Sequence, residues 1–171
     1  LEDLSKVAQK CVILKGPDEE EFAPLIANHE ALLVTIAADS LAEYETTYLH
    51  TAHTFRHLAL EMNLPRQLLY TSSTSIYGDH GGLWVDETSE LKAQTDPAKA
   101  LIETEKTFLS LEEVGWDICI LRLAEIYGPG REISKRVEQL EGHSLPGTGE
   151  HYTNMVHQSD AAFAIDYALR H

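Results

Sequence analysis

Basic residues are scarce: 13 lysines and arginines stand against 28 aspartates and glutamates in 171 residues, a formal net charge of −15. A chain so acidic repels phosphate backbones and anionic lipid surfaces over a Debye length, so no nucleic-acid partner is expected. Long hydrophobic runs are missing. The longest, such as residues 31–38, fall far short of the roughly 20 residues needed to cross a bilayer, and we expect no membrane insertion. The acidic opening Leu1-Glu2-Asp3 is the reverse of a basic secretory leader. It also lacks Met, as a processed or partial product would, so the missing leader carries little weight.

Cysteine is limited to Cys11 and Cys119, each inside an apolar run, where it reads as a small buried hydrophobe. That usage points to a reducing compartment, the cytoplasm by default, with a plastid stroma left open. His50, His53 and His57 recur at helical spacing, but they lie opposite the apolar face with no Cys or carboxylate arranged to complete a set, so no metal is expected. No Gly-x-Ser-x-Gly elbow supports a serine hydrolase. No repeat, low-complexity tract or Gly/Ser linker divides the chain, and residues 1–171 are expected to form a single domain.

What is present is alternation. Short, continuous, β-rich apolar runs occupy residues 11–14, 32–37, 67–71 and 117–121, each too apolar for a half-exposed strand. Between them lie segments with helical spacing. In residues 43–62, Tyr44, Tyr48, Thr51, Phe55, Leu58, Ala59 and Met62 share one side. A second helix is predicted over 97–111, ending toward Gly115, and a third over 159–171, capped by Ser159 or Asp160. The acidic run 18–21 reads as a solvated helix start. Strict strand–helix alternation implies right-handed crossovers and an α/β, doubly wound parallel sheet, with ligands at the carboxyl ends of its strands.

Two of those strand ends read alike. The third ends in Tyr70-Thr71-Ser72-Ser73-Thr74-Ser75-Ile76-Tyr77-Gly78, and the fourth runs on into Arg122-Leu123-Ala124-Glu125-Ile126-Tyr127-Gly128-Pro129-Gly130. Together with Val156-His157-Gln158-Ser159-Asp160-Ala161-Ala162, this pair resembles the extended short-chain dehydrogenase/reductases, the NAD-dependent epimerase/dehydratase family. Its pattern is Ser-Ser-x-x-Val-Tyr-Gly, Arg-x-x-x-Val-Tyr-Gly-Pro-Gly and Val-His-x-x-Asp-x-Ala. The similarity covers about residues 11–171.

The resemblance implies a Rossmann-like NAD(P)-binding sheet and a small-molecule substrate. Ser73 matches the family's catalytic Ser/Thr, which hydrogen-bonds the substrate oxygen. Ala37, Ala38, Ser72, Leu123, Ala124 and Ile126 are implied to line the cofactor, NAD or NADP. Thr74, Ser75, Tyr77, Tyr127, Arg131 and Asn154 are implied to face the substrate, Arg131 as a grip on an anion. Thr74 and Ser75 stand where dehydratase members carry Asp and Glu, and a neutral hydroxyl is a poor general acid or base at pH 7. The helix of residues 43–62 resembles one through which family members often pair, so a homodimer or larger assembly is an expectation.

Two departures stand out. Lys99 followed by Glu103 matches the family's Lys-x-x-x-Glu, with Lys99 implied to hold the nicotinamide ribose; that puts Thr95 where the catalytic Tyr belongs, and a threonine cannot serve as a phenolate. The chain looks most like atypical branches that share Trp84-Val85-Asp86-Glu87 and lack that Tyr. The second departure is at the front, where no glycine precedes Gly16 and hence no glycine-rich turn can cradle a pyrophosphate. The resemblance places Leu1 inside the family's domain, with the sheet incomplete at the N-terminus and most of the C-terminal substrate lobe lying past His171. Two functions follow: an oxidoreductase or epimerase-like enzyme in which another group, such as Tyr77 or Tyr127, moves the proton, or a regulatory or assembly subunit without turnover.

Overall fold

The structure is a computed structural model that describes residues 6–14, 16–62, 66–144, 149–150 and 152–171. Helix α1 (Glu19–Ala27) begins where the acidic run predicts, because the Asp18 carboxylate accepts the Glu21 amide at 3.1 Å and three glutamates fill the positive end of the helix dipole. Strands β1 (Ala31–Val34), β2 (Gln67–Ser73) and β3 (Asp117–Leu123) form a parallel sheet in that order, with Val34 opposite Tyr70 and Ser72 opposite Arg122. A short second sheet pairs β4 (Glu125–Tyr127) in parallel with β5 (Met155–His157).

Helix α2 (Thr51–Met62), α3 (Asp96–Leu109) and α1 cover one face of the main sheet. There Tyr70 meets Phe108 at 5.1 Å between ring centroids, Phe108 meets Phe55 at 6.2 Å, and Leu68 and Ile26 are fully enclosed. Because side chains alternate along β2, Gln67 points to the other face, where its amide donates to the Ala168 carbonyl of α5 (Gln158–Arg170) at 3.2 Å. Helices on both faces of a parallel sheet make this a Rossmann-like, doubly wound α/β arrangement. Helix α4 (Ile133–Leu140), which the sequence reading did not anticipate, stands beside β4 and exposes Ile133, Val137 and Leu140. Among the described residues no helix is long and apolar enough to cross a membrane.

Four expectations need correction. Residues 11–14 belong to no ladder, and Cys11 is exposed; a β-rich run becomes a strand only beside a partner, and among the described residues β1 pairs with β2 alone. Cys119 is half-buried in β3 rather than enclosed. Residues 43–62 form no single α-helix. A 3₁₀ turn (Leu41–Glu43) leads into a π-helical stretch (Glu45–His50) before α2, and the Thr51 hydroxyl donates to the Thr47 carbonyl at 2.6 Å, competing for the acceptor that the α-helical ladder would use. Helix α5 is capped by the His157 ring, which accepts the Ser159 amide.

The two Tyr-Gly steps have a steric cause. Gly78 sits at φ 67°, and a Cβ there would lie 2.2 Å from the Lys92 carbonyl oxygen; Gly128 sits at φ 144°, where a Cβ would approach Gln158 to 2.8 Å. Only glycine fits either place. The segment that follows Gly78 carries Trp84 fully into solvent, while Trp116, ahead of β3, is 4% exposed.

One buried ion pair ties these elements together. Glu105 of α3, 2% exposed, takes both Nε and Nη2 of Arg122 from β3, the shortest contact being 2.8 Å. The remaining arm, Nη1, donates to the Tyr77 hydroxyl at 2.8 Å. Removing one member leaves a buried charge uncompensated, so Glu105→Gln is expected to cost about 3–5 kcal/mol in urea unfolding, with the double change Glu105→Leu/Arg122→Met recovering much of it. Phe108→Ala, which empties the centre of the aromatic cluster, is expected to cost about 3–5 kcal/mol in the same measurement.

Candidate active site

The carboxyl ends of β1, β2 and β3 open onto a cleft of about 760 Å³. Seven residues expected at a cofactor or substrate meet there: Ala37 beyond β1, Ser72 and Ser73 at the end of β2, Leu123 and Ala124 at the end of β3, then Ile126 and Arg131. The sheet register causes this, since Ser73 lies directly opposite Leu123. Ser72 is 7% exposed, and among the described residues its Oγ has no hydrogen-bond partner. Beneath it the Tyr70 hydroxyl is fully buried and has no other hydrogen-bond partner among the described residues; Ser72 Oγ is its neighbour, and burial drives the Tyr70 phenol far above its ordinary range. Ser73 caps the 3₁₀ turn Thr74–Tyr77 by accepting the Ser75 amide at 3.2 Å, which leaves its own proton for a ligand.

Other expected residues lie elsewhere. Thr74, Tyr77 and Asn154 line a separate hollow of about 460 Å³ together with Arg122, and Ser75 is exposed beside it. Ala38 packs against the core. Tyr127 turns edge-on to His157, 5.1 Å between centroids, in a third hollow. Neither Tyr77, whose phenol is engaged by Arg122, nor Tyr127 therefore reaches the Ser72–Ser73 cleft.

The lysine and its partner lie apart from the cleft. Lys99 pairs with Asp96 at 3.1 Å, its side chain 60% exposed, on an outer groove beside Leu41 and Leu49. Glu103 is likewise exposed and bonds Lys106 at 2.7 Å, whereas the carboxylate that α3 buries is Glu105. Sliding the Lys-x-x-x-Glu pattern by two residues onto Glu105 puts Leu101 in the lysine's place, and Leu101 does line the cleft. At about 100° per residue, positions 99 and 101 are on opposite sides of a helix. Thr95 is the N-cap of α3, its hydroxyl accepting the Ala98 amide at 3.4 Å, and is not on the cleft wall.

The sequence reading missed the opposite wall. Tyr44 and Tyr48, which it assigned to the core stripe, line the cleft from the π-helical side with rings 5.0 Å apart. Lys135 and Arg136 of α4 also reach it, but each is engaged, with Glu132 and Glu125 respectively. Arg131 makes no ion pair among the described residues and is exposed at the rim.

The hollow at Tyr77 is closed by the segment of Asp86 and Glu87. Asp86 accepts from the Thr88 hydroxyl at 2.7 Å, the Ser89 hydroxyl at 3.0 Å and the Thr88 amide at 3.0 Å. These bonds, the Thr88 hydroxyl first, hold its carboxyl below the ordinary aspartate range. The depressed value means that the turn's stabilisation is present above the pKa of an unfolded aspartate and is lost as pH falls through the folded value. Carboxyl-carbon NMR should therefore show Asp86 titrating below a free aspartate, and Thr88→Val should move it back up.

Comparison with known proteins agrees with this architecture. Residues 19–171 match the model of the NAD dependent epimerase/dehydratase family. Protein YeeZ of Escherichia coli K12 is 35% identical over 141 residues, which make up 82% of this chain and 48% of that protein, so the chain spans about half the length of the curated relatives it matches. The structure of dTDP-glucose 4,6-dehydratase from Bacillus anthracis in complex with NAD superposes with a TM-score of 0.78 at 19% identity, over 99% of this chain and 57% of that one. RMD from Pseudomonas aeruginosa, complexed with NADPH, gives 0.72 at 16% identity, over 99% and 68%. With its parallel sheet, its paired Tyr-Gly strand ends and the span of the family match, the chain belongs to the NAD-dependent epimerase/dehydratase family.

Proposed function

We propose that the chain binds NAD or NADP in the Ser72–Ser73 cleft and forms part of an oxidoreductase or epimerase-like enzyme acting on a small carbonyl, hydroxyl or sugar-nucleotide substrate. The observation that carries this reading is the buried, unpartnered Ser72 Oγ at the strand ends, flanked by the small side chains of Ala37 and Ala124. A polar atom left in such a place costs free energy until a ligand bonds it, and alanines on either side admit a flat ring. When bound, the nicotinamide supplies hydride exchange. Ser73 donates its free proton to the substrate oxygen, Leu123 and Ile126 exclude water from the ring, and Arg131 offers its unpaired guanidinium to an anionic group on the substrate.

A second reading, a nucleotide-binding subunit without turnover, is favoured by one observation: the Thr95 hydroxyl is committed to capping α3 and the Lys99 ammonium faces away from the cleft. Fluorescence titration of the intact protein with NADH and NADPH tests the shared premise. Saturable binding of one of them is expected, with Ser72→Leu, which fills the cleft, weakening it at least about tenfold. Failure of both nucleotides to bind would overturn both readings. Given binding, hydride transfer to any of a panel of carbonyl compounds and nucleotide sugars selects the enzyme, and Ser73→Ala is then expected to lower kcat by about 10²-fold. Binding with no transfer across the panel selects the subunit.

A further inference from the structure

The family pattern supplies a lysine for the nicotinamide-side ribose, yet Lys99 is turned to the outer groove and Leu101 stands on the cleft wall. Some other polar group must meet the ribose hydroxyls if the nucleotide binds as proposed. The tyrosines narrow the choice. Of the seven in the chain, Tyr77 is held by Arg122 and Tyr127 faces His157. Tyr152 and Tyr167 are on the outside, 87% and 56% exposed, and Tyr70 is sealed beneath Ser72. Tyr44 and Tyr48 are the two that line the cleft.

These two are not equivalent. Tyr44 also borders the outer groove, so its ring separates the two spaces. Tyr48 is 9% exposed, and the Ala38 backbone amide lies against its oxygen. A phenol oxygen beside a backbone amide can still donate its own proton to a ligand. Burial raises the Tyr48 phenol above its ordinary range, so it is a neutral donor throughout the physiological span. It stands on the π-helical stretch Glu45–His50, an irregularity that is frequently associated with functional positions. Ser72 lines the same cleft, and among the described residues its Oγ has no hydrogen-bond partner.

We infer that Tyr48 and Ser72 together hold the hydroxyls of the nicotinamide-side ribose, a neutral pair in the place of the family's lysine. The inference rests on the reading that a nicotinamide nucleotide enters this cleft, and it names which of the chain's residues meet it. A neutral phenol can donate to a ribose hydroxyl and Ser72 can accept or donate in return, but neither places a positive charge beside the reacting atoms.

The test uses the intact protein, with NADH, NADPH and ADP as probes, since ADP carries the adenosine half and no nicotinamide-side ribose. Tyr48→Phe removes one oxygen and keeps the ring. The expected result is about a tenfold weaker affinity for whichever reduced nucleotide binds, with ADP affinity unchanged; one hydrogen bond of about 1.4 kcal/mol corresponds to that factor. A 3-fluorotyrosine at position 48 should also shift in ¹⁹F NMR when NADH or NADPH is added and stay still with ADP. If the reduced nucleotide binds but Tyr48→Phe is without effect, or weakens ADP equally, the inference falls while the proposed function stands. If no nucleotide binds, both fall together.

Discussion

The Glu105–Arg122 pair is the constraint on which the site depends. Arg122 stands at the place in β3 where the ladder still pairs it with Ser72, and Glu105 reaches it from the helix above. Two charges in so dry a place are costly to desolvate, and the bidentate geometry offsets that cost only while both partners are present. The third arm of the guanidinium then fixes Tyr77, the last residue of the turn that begins at Ser73. One arginine thus sets the helix against the sheet and the sheet against the hydroxyl-bearing turn. Its guanidinium is also 5.1 Å from the Tyr77 ring centroid, so packing and hydrogen bonding act on the same residue.

Much of the fold was legible because its signals are local. The continuous apolar runs at β2 and β3 can be satisfied only between two layers, and the structure extends each by two residues beyond the expected end, to Ser73 and Leu123. The paired Tyr-Gly steps were legible for a steric reason that needs no partner information: each glycine occupies a backbone state or a gap that no other residue tolerates. Residues 11–14 show the opposite case. Their composition favours a strand, but pairing is a property of two segments, and among the described residues no second segment forms a ladder with them.

The structure separates two acidic residues of α3 that the sequence pattern alone does not tell apart. Glu103 and Glu105 are two residues apart on one helix, both acidic, and the pattern alone selects the one four residues after a lysine. Burial selects the other. A shift of two positions turns a helix through more than half a revolution, which is why Lys99 faces solvent and Leu101 faces the cleft. Tyr48 was hidden by a different effect. The apolar stripe that fills the core continues past the core's edge into the cleft wall, so periodicity assigned its phenol to packing and could not register that the stripe ends at an opening.

The two tryptophans have a practical consequence that follows from their placement. Trp84 stands in water on the segment between the two halves of the site, and Trp116 is sealed where α3 hands over to β3. The chain therefore carries two optical reporters with opposite surroundings: a red-edge emitter for events in the 78–95 segment and a blue-edge emitter for the loosening of the sheet. Quenching by a small neutral molecule such as acrylamide should act on the first far more than on the second, so local rearrangement and global melting can be followed separately in one cuvette without any added label.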